Sequence, residues 1–581
     1  MTIATTVAAV HPDRAGFELV PVPGPATMSQ APTIGAALLD LADRHPDRPV
    51  SYVEESDGRL VRLTAADLVE QAAAAATTLA EYGVRPGDRV GVCMDTSAEA
   101  HAALHGCFLL GAVPFVSEPP LATMRRQRWV DRLRLLIRRA TPTVMVVEAR
   151  FRDAVAEPCR EAGVEIVVPP FEGGYLPAGA RGRTDDIALL QFTSGTTGDS
   201  RGVTLTHRAI LANVRSMGQH VTRAGDLAVS WLPLHHDMGL IGLHLMPLLH
   251  GIPAVAMPPM AFALRPERWL HAMHRFRGTF TSAPNFAYQI CATKIPDNRL
   301  EGLDLSAWRV AGNGAEVVNA ATLRRWYERM APFGFREEAL MPCYGMAEIG
   351  LGATMHELGR PLRVLAVRRD ALAASGQVVP AGADDPDRQE LVSSGNTLAG
   401  VEVTVVDDDG NPLPDRVQGN VLLRTDSMME GYYGQPDETA KVLTDGVLRT
   451  GDQGFLDAGE LFVTGRVKDI IIIAGRNYHP YVFETVAATV ADARPGGVAA
   501  VGVPAGELGT ETLVLVVESQ QHSDPASVAR LREAVTAAVS AETGLRPDRV
   551  EIVPRGALAK TPSGKLQRRR IAAALREGTL G

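Results

Sequence analysis

Between Arg89 and Val168, short apolar runs alternate with alanine- and leucine-rich stretches of helical spacing, and this alternation restricts the fold more than any other feature. Arg89–Cys93, Ala112–Val116, Thr143–Val147 and Val164–Val168 read as buried strands, with Ala98–Leu110 as a helix between the first two. Upstream, Ile34, Leu38, Leu39 and Leu41 share one face of a helix that starts at Thr33 and ends near His45-Pro46. Leu68–Tyr82 reads as a second helix, stopped by Gly83, before the Arg85-Pro86-Gly87-Asp88 turn. Strands that are apolar throughout, separated by helices, predict a parallel α/β sheet with helices on both faces. The first ~30 residues show no period and are expected to lie over the surface.

At 581 residues the chain is too long for one core, so more than one domain is expected. A net charge of −9 and the lack of a basic block exclude nucleic acid as the main partner. Cys93, Cys107, Cys159, Cys291 and Cys343 are widely spaced, which suits reduced thiols in a cytoplasm rather than a disulfide framework or a zinc site. No signal peptide is read at the start, and no apolar run is long enough to span a membrane.

Residues 191–202 read Q-F-T-S-G-T-T-G-D-S-R-G. The buried strand Ile187–Leu190 precedes them, and a helical stretch from Arg208 follows Val203–His207. Thr193, Ser194, Thr196 and Thr197 supply hydroxyls, Gly195, Gly198 and Gly202 let the backbone close on an anion, and Arg201 is the loop's cation. No Walker A pattern fits, and of a solvated Ser/Thr/Gly loop and a phosphate cradle of another kind, the glycines and hydroxyls favour the cradle.

Further on, strand-like runs repeatedly end in polar turns. Leu227–Trp231 leads to Pro233-Leu-His-His-Asp237, whose spacing does not match the helical zinc pattern and suits the mouth of a pocket. Thr279–Pro284 is followed by Arg309–Glu316, a strand ending in small residues fit to lie edge-on to a flat ring. Pro342–Glu348 offers Tyr344 for stacking and Glu348 for Mg²⁺. Val401–Asp407 and Gly419–Arg424 read as antiparallel strands around the Asp407–Gly410 turn. A charged turn at Arg466-Val467-Lys468 marks a domain boundary, and the last ~110 residues fit one small α+β domain carrying Lys565 behind a Thr-Pro-Ser-Gly turn.

Taken in order over residues ~33–575, these stretches resemble the adenylate-forming superfamily of acyl-CoA synthetases, peptide-synthetase adenylation domains and luciferases. W-L-P-L-H-H-D-M-G-L-I, N-G-A-E and V-T-G-R-V-K-D-I-I-I-I-A-G-R-N-Y-H-P look most like its fatty acyl-AMP ligase branch. The resemblance implies a large N-terminal domain, 1–467, with parallel sheets flanked by helices and a β-barrel-like part, and a small mobile domain, 468–581. Residues ~354–392 are the candidate insertion. It further implies an enzyme of lipid or natural-product biosynthesis that uses ATP and Mg²⁺ to turn a carboxylic acid into an acyl-adenylate. A thiol then takes the acyl group: that of an acyl carrier protein, or of CoA if the chain is a synthetase.

The implied roles are specific. Residues 193–202 hold pyrophosphate, and Glu348 with Thr196 or Thr197 places Mg²⁺. Gly314, Ala315 and Glu316 with Tyr344, Gly345 and Met346 frame adenine, while Asp452 and Arg466 meet the ribose. His236 sits at the pocket mouth, Lys565 bridges carboxylate and α-phosphate, and Lys468 is the hinge. Gly350 and Gly352 are expected to leave room for a long or bulky acid. The family's usual Pro-Lys-Gly is Ser200-Arg201-Gly202 here, which keeps the charge and adds a bidentate fork. Glu348, Asp452 and Lys565 argue against a non-catalytic binding protein, and the missing carrier domain argues against a peptide synthetase.

Overall fold

The computed structural model describes residues 28–55, 58–120, 126–174, 182–193, 200–473, 476–490, 492–493, 496–504, 511–561 and 564–580. Six strands at its centre run parallel in the order Leu340–Gly345, Val310–Gly314, Phe280–Pro284, Ala228–Ser230, Ala254–Ala256 and Pro49–Glu54. Leu60–Thr64 closes one edge antiparallel. A second, four-stranded sheet is parallel throughout, in the order Val113–Val116, Arg89–Cys93, Val144–Val147, Glu165–Val167. These four are the runs read from the alternation, each within a residue or two.

The helices start where side chains can satisfy their first free amides. Thr33 caps Ile34–Arg44, Thr64 forms a capping box with Asp67 at Ala65–Glu81, Ser97 caps Ala98–Leu110, and Thr206 caps His207–Val221. Helix Ala98–Leu110 is buried on all sides, so its sequence carries no amphipathic stripe. Beside the central sheet, Trp269 makes edge and stacked contacts with Trp231, Tyr288, Trp308 and Trp326.

Two features of the strand pairing go beyond the sequence reading. Ile187–Thr193 does not join a parallel sheet. It pairs antiparallel with Arg201–Thr206, which pairs in turn with the distant Gly431–Tyr432. The antiparallel strands Val401–Val406, Gly419–Thr425, Val447–Asp457 and Glu460–Arg466 run on from the central sheet through Asn396–Thr397 and Gly352–Met355. Among the described residues no pairing closes this barrel-like part into a barrel. Local patterns cannot foresee either outcome, because partner choice is a long-range property.

The candidate insertion is built. Val364–Arg368 and Arg388–Val392 form an antiparallel ribbon, with helix Arg369–Ser375 between them. Val367, Leu372, Val378 and Leu391 pack on the stacked rings of Phe455 and Phe462. This ribbon-and-helix unit therefore has an apolar underside.

Residues from Ile471 onward form a three-stranded sheet, Val498–Pro504, Glu511–Glu518 and Arg549–Val553, with helices Pro480–Ala487, Pro525–Thr543 and Arg568–Arg576. Ala373 of the candidate insertion packs into the same apolar cluster as Tyr478, Phe483 and Val535. All five cysteines are free. Among the described residues no helix is long and apolar enough to cross a membrane, and most of the N-terminal stretch expected to drape the surface lies outside them.

Candidate active site

The C-terminal ends of neighbouring parallel strands open into one cavity of about 990 Å³. The segments after Ala228–Ser230, Phe280–Pro284 and Val310–Gly314 contribute His236, Phe286 and Ala315 to its wall, and the end of Leu340–Gly345 contributes Tyr344. This is the crevice position that parallel α/β sheets favour for ligands.

Its polar half is organised around Asp452. The strands Val447–Asp457 and Glu460–Arg466 pair in a register that puts Asp452 directly opposite Arg466. Arg466 Nε donates to Asp452 Oδ1 at 2.9 Å, and Tyr344 Oη donates to Asp452 Oδ2 at 2.7 Å. Burial, and then the neighbouring Asp452 charge, push the Tyr344 phenol well above its usual range. The neighbouring Asp452 carboxylate raises the Arg466 guanidinium above its ordinary range, against the opposing effect of burial.

Tyr344 leads into a turn that only glycine allows at the next position. A Cβ on Gly345 would stand 1.7 Å from the Leu351 carbonyl oxygen, and Met346 N donates to that oxygen at 2.8 Å. The turn delivers Glu348, whose Oε1 accepts from Tyr432 Oη at 2.9 Å. Burial raises the Glu348 carboxyl above its ordinary range, so the site gains from a cation that restores the charged form. On the preceding strand, Ala315 sits at φ 68°, a strained value for a residue with a side chain, where the Gly314-Ala315 backbone bends round the rim.

Lys565 enters from the C-terminal segment. Thr561 N donates to the Lys565 carbonyl at 2.7 Å, and Lys565 N donates to Thr561 Oγ1 at 3.0 Å, which fixes the backbone under the ammonium. The neighbouring Gly564, at φ 86°, has the Phe286 ring where a side chain would begin, 3.3 Å away. Burial lowers the ammonium's pKa, and Arg466 adds to that. Asp237, Glu316 and Asp452 pull the other way without reversing it. For Asp237 itself, burial raises the carboxyl, but His236, Lys565 and the Met238 amide outweigh it and leave it low. His236 Nδ1 lies 2.7 Å from Asp237 Oδ1.

The other half is apolar, walled by Met217, Val221, Leu243, Met246, Phe280 and Val310. Helix Met238–Leu245 along this wall is a π-helix, a rare form that is frequent at functional sites.

Of the residues singled out from sequence, Thr193, Arg201, His236, Ala315, Glu316, Tyr344, Gly345, Met346, Glu348, Asp452, Arg466, Lys468 and Lys565 all line this cavity. Gly314 is buried against Cys343. Ser194, Gly195, Thr196, Thr197 and Gly198 lie outside the described residues. Glu316 accepts from the Phe286 amide at 2.6 Å, which ties its loop to the next strand end. Gly352 does line the cavity, but Gly350 does not. Gly350 faces Asn213 at φ 84°, so its turn rather than the acyl space requires it.

Sequence reasoning took Asp237 only as part of the pocket-mouth segment and passed over Tyr432 and Glu438. Asp237 was visible as the carboxylate after the histidine pair. Tyr432 and Glu438 carried no signal, because they reach the site through the long-range pairing of Gly431–Tyr432 with Val203–Thr204.

The comparisons agree with this geometry. Residues 38–433 match the family described as AMP-binding enzyme. A medium-chain-fatty-acid–acyl-carrier-protein ligase of Moorena producens is 33% identical, over 91% of this chain and 92% of its own. A long-chain-fatty-acid–AMP ligase of Mycobacterium marinum is 30% identical, over 92% and 96%. A solved structure from work on fatty acyl-adenylate ligases of E. coli and L. pneumophila superposes with a TM-score of 0.88 at 30% identity, covering 95% of this chain and 99% of that one. With the strand-end cavity, the Asp452–Arg466 pair and Lys565 in one place, the chain belongs to the AMP-binding enzymes, the adenylate-forming ligases.

Proposed function

We propose that the protein uses ATP to convert a long or bulky carboxylic acid into an acyl-adenylate, releasing pyrophosphate, and passes the acyl group to the thiol of an acyl carrier protein. The observation that carries this reading is the position of Lys565. Its ammonium stands in a cavity with one polar and one apolar half, facing Asp237, Glu316 and Asp452. The apolar half takes the acyl chain, and the adenosine lies along Gly314–Glu316 and Tyr344–Met346 with its ribose hydroxyls on Asp452, beside Arg466.

In the first step a carboxylate oxygen of the acid attacks the α-phosphorus, and the bond to the pyrophosphate oxygen breaks. Lys565 stabilises the charge that builds between the two anions, an effect worth most in a site shielded from bulk water. Thr193 and Arg201 border the departing pyrophosphate. Mg²⁺ would be held by the buried Glu348 carboxylate, with Thr196 or Thr197 as the loop's ligand, and would shield phosphate charge. Among the described residues no cluster of three metal-ligating side chains exists, and Mg²⁺ bound through one carboxylate plus phosphates needs none. His236, steadied by Asp237, closes the mouth. In the second step the thiol sulfur attacks the carbonyl carbon and AMP leaves, after residues 468–581 swing about Lys468.

The insertion bears on the acceptor. Its helix touches the C-terminal segment through Ala373, and the Arg369 side chain donates to the Glu542 carbonyl at 3.3 Å. These contacts favour the adenylating pose over the one that admits CoA.

The test is ATP–pyrophosphate exchange across a panel of fatty and aromatic acids, with product analysis in the presence of CoA or a phosphopantetheinylated carrier protein. Exchange with some acid and acyl transfer to the carrier alone are expected. Absence of exchange with every acid would remove the reading, and efficient acyl-CoA formation would replace the acceptor.

The buried lysine also fixes a pH dependence. Adenylation needs the ammonium, and burial lowers its pKa, so the charged form is lost at a lower pH than for a free lysine. The alkaline limb of kcat/KM, which reports the free enzyme, is expected below the ordinary lysine range of about 10.4. A limb at or above that range would contradict a desolvated Lys565.

A further inference from the structure

The cation of the glycine-rich loop is held from the far side of the molecule. Arg201 Nη2 donates to Glu438 Oε2 at 2.6 Å, and the guanidinium carbon lies 5.0 Å from the centre of the Tyr432 ring. Tyr432 is in turn bonded to Glu348. Both Arg201 and Glu438 line the cavity and are largely covered, with side chains 21% and 30% exposed.

The segment that carries Glu438 is firmly attached to the loop's hairpin. Tyr433 N donates to the Gly202 carbonyl at 2.8 Å, and Glu430 N donates to the Thr204 carbonyl at 3.0 Å. Thr439 Oγ1 accepts from Tyr432 N at 2.9 Å, which folds helix Pro436–Ala440 back over the strand and brings Glu438 onto Arg201. Lys441 pairs with the other Glu438 oxygen.

We propose that Glu438 is a positioning residue for the pyrophosphate site, acting through Arg201, with the Tyr432 ring as the second support. This rests on the reading of the cavity given above. A guanidinium is planar and presents five donors. With one nitrogen on Glu438 and its carbon over the Tyr432 ring, Arg201 keeps its remaining donors for phosphate oxygens in a fixed orientation. A lysine ammonium offers no plane to stack and no second edge, so the arginine that replaces the family's usual lysine here suits the clamp. The arrangement predicts that the hydrogen bond from Arg201 to Glu438, rather than the Glu438 charge, supports anion binding. A carboxylate acting only by its charge would repel the ligand.

The experiment is calorimetric titration of the full-length protein with inorganic pyrophosphate in the presence of Mg²⁺, which requires no knowledge of the acid. Glu438→Ala is expected to weaken binding about fivefold, the worth of one ordinary hydrogen bond. Glu438→Gln, whose amide oxygen still accepts from Arg201, should stay within about twofold of wild type on the same reasoning. In an Arg201→Lys background, Glu438→Ala should add nothing, which a general structural loss would not reproduce. Unchanged or tighter binding in Glu438→Ala would overturn the proposal, as would equal losses in the alanine and glutamine variants. Wild-type protein that fails to bind pyrophosphate would instead remove the site reading on which the proposal stands.

Discussion

Lys565→Ala slows adenylate formation by about 10²–10³-fold, the range for losing one preorganised charge-stabilising donor, and leaves ATP binding nearly intact. The ammonium meets its full complement of negative charge only as the carboxylate closes on the α-phosphate, so its contribution falls in the transition state. The backbone around it is held by the Thr561 hydroxyl and carbonyl contacts, none of which involves the side chain, so the truncation leaves the turn standing. ATP–pyrophosphate exchange together with nucleotide binding checks both halves. Exchange at the wild-type rate would take Lys565 out of the chemistry, and loss of ATP binding in step with activity would make it a ground-state contact instead.

The second large effect is a change of product. Arg368 and Arg388 are paired across the ribbon of the candidate insertion. Replacing residues 369–387 with a two-residue Asn-Gly turn would therefore keep the strands over Phe455 and Phe462 while removing the helix that touches the C-terminal segment. Adenylation is expected to stay within about twofold, because no cavity-lining residue is lost. Acyl-CoA, expected to be absent from the wild-type reaction, should appear once the second pose is accessible, since a few kcal/mol of bias is enough to hide one of two states. Chromatography of the products with CoA present is the measurement. Abundant acyl-CoA from the wild type would show that the insertion does not exclude CoA, and none from either protein would place the exclusion elsewhere.

A milder form of the same test is Ala373→Glu. It puts a charge into the apolar cluster shared with Tyr478 and Phe483 without shortening the chain. It should move the product ratio in the same direction, and a ratio identical to wild type would weaken the link between this contact and the acceptor.

Several elements are legible in the amino-acid sequence because the forces that form them are local. Arg89–Cys93 and Ala98–Leu110 occur with the bounds their sequence implies, since an apolar β-branched run and a serine-capped alanine-rich run each carry their own instruction. Most of the site is legible for a related reason. Its residues lie at the ends of consecutive parallel strands, and a parallel sheet gathers such ends on one edge. Tyr344, Glu348 and the Gly314-Ala315 turn thus follow from the strand pattern together with the motifs themselves.

What the sequence by itself determined, then, was the set of strands and helices, the strand-end turns and the types of side chain they offer. The tertiary structure alone decided which of those side chains meet. Asp452 reaches Tyr344 across 108 positions and Arg201 reaches Glu438 across 237. Both contacts depend on antiparallel pairings whose partners are chosen by burial and register over the whole molecule rather than by any neighbouring residue. The same cause accounts for the hairpin at Ile187–Thr206, for the chain of antiparallel strands running on from the central sheet, and for the insertion's seat on Phe455 and Phe462. Local patterning writes the pieces, and only the shared core, where each strand buries its apolar face against another, fixes their partners.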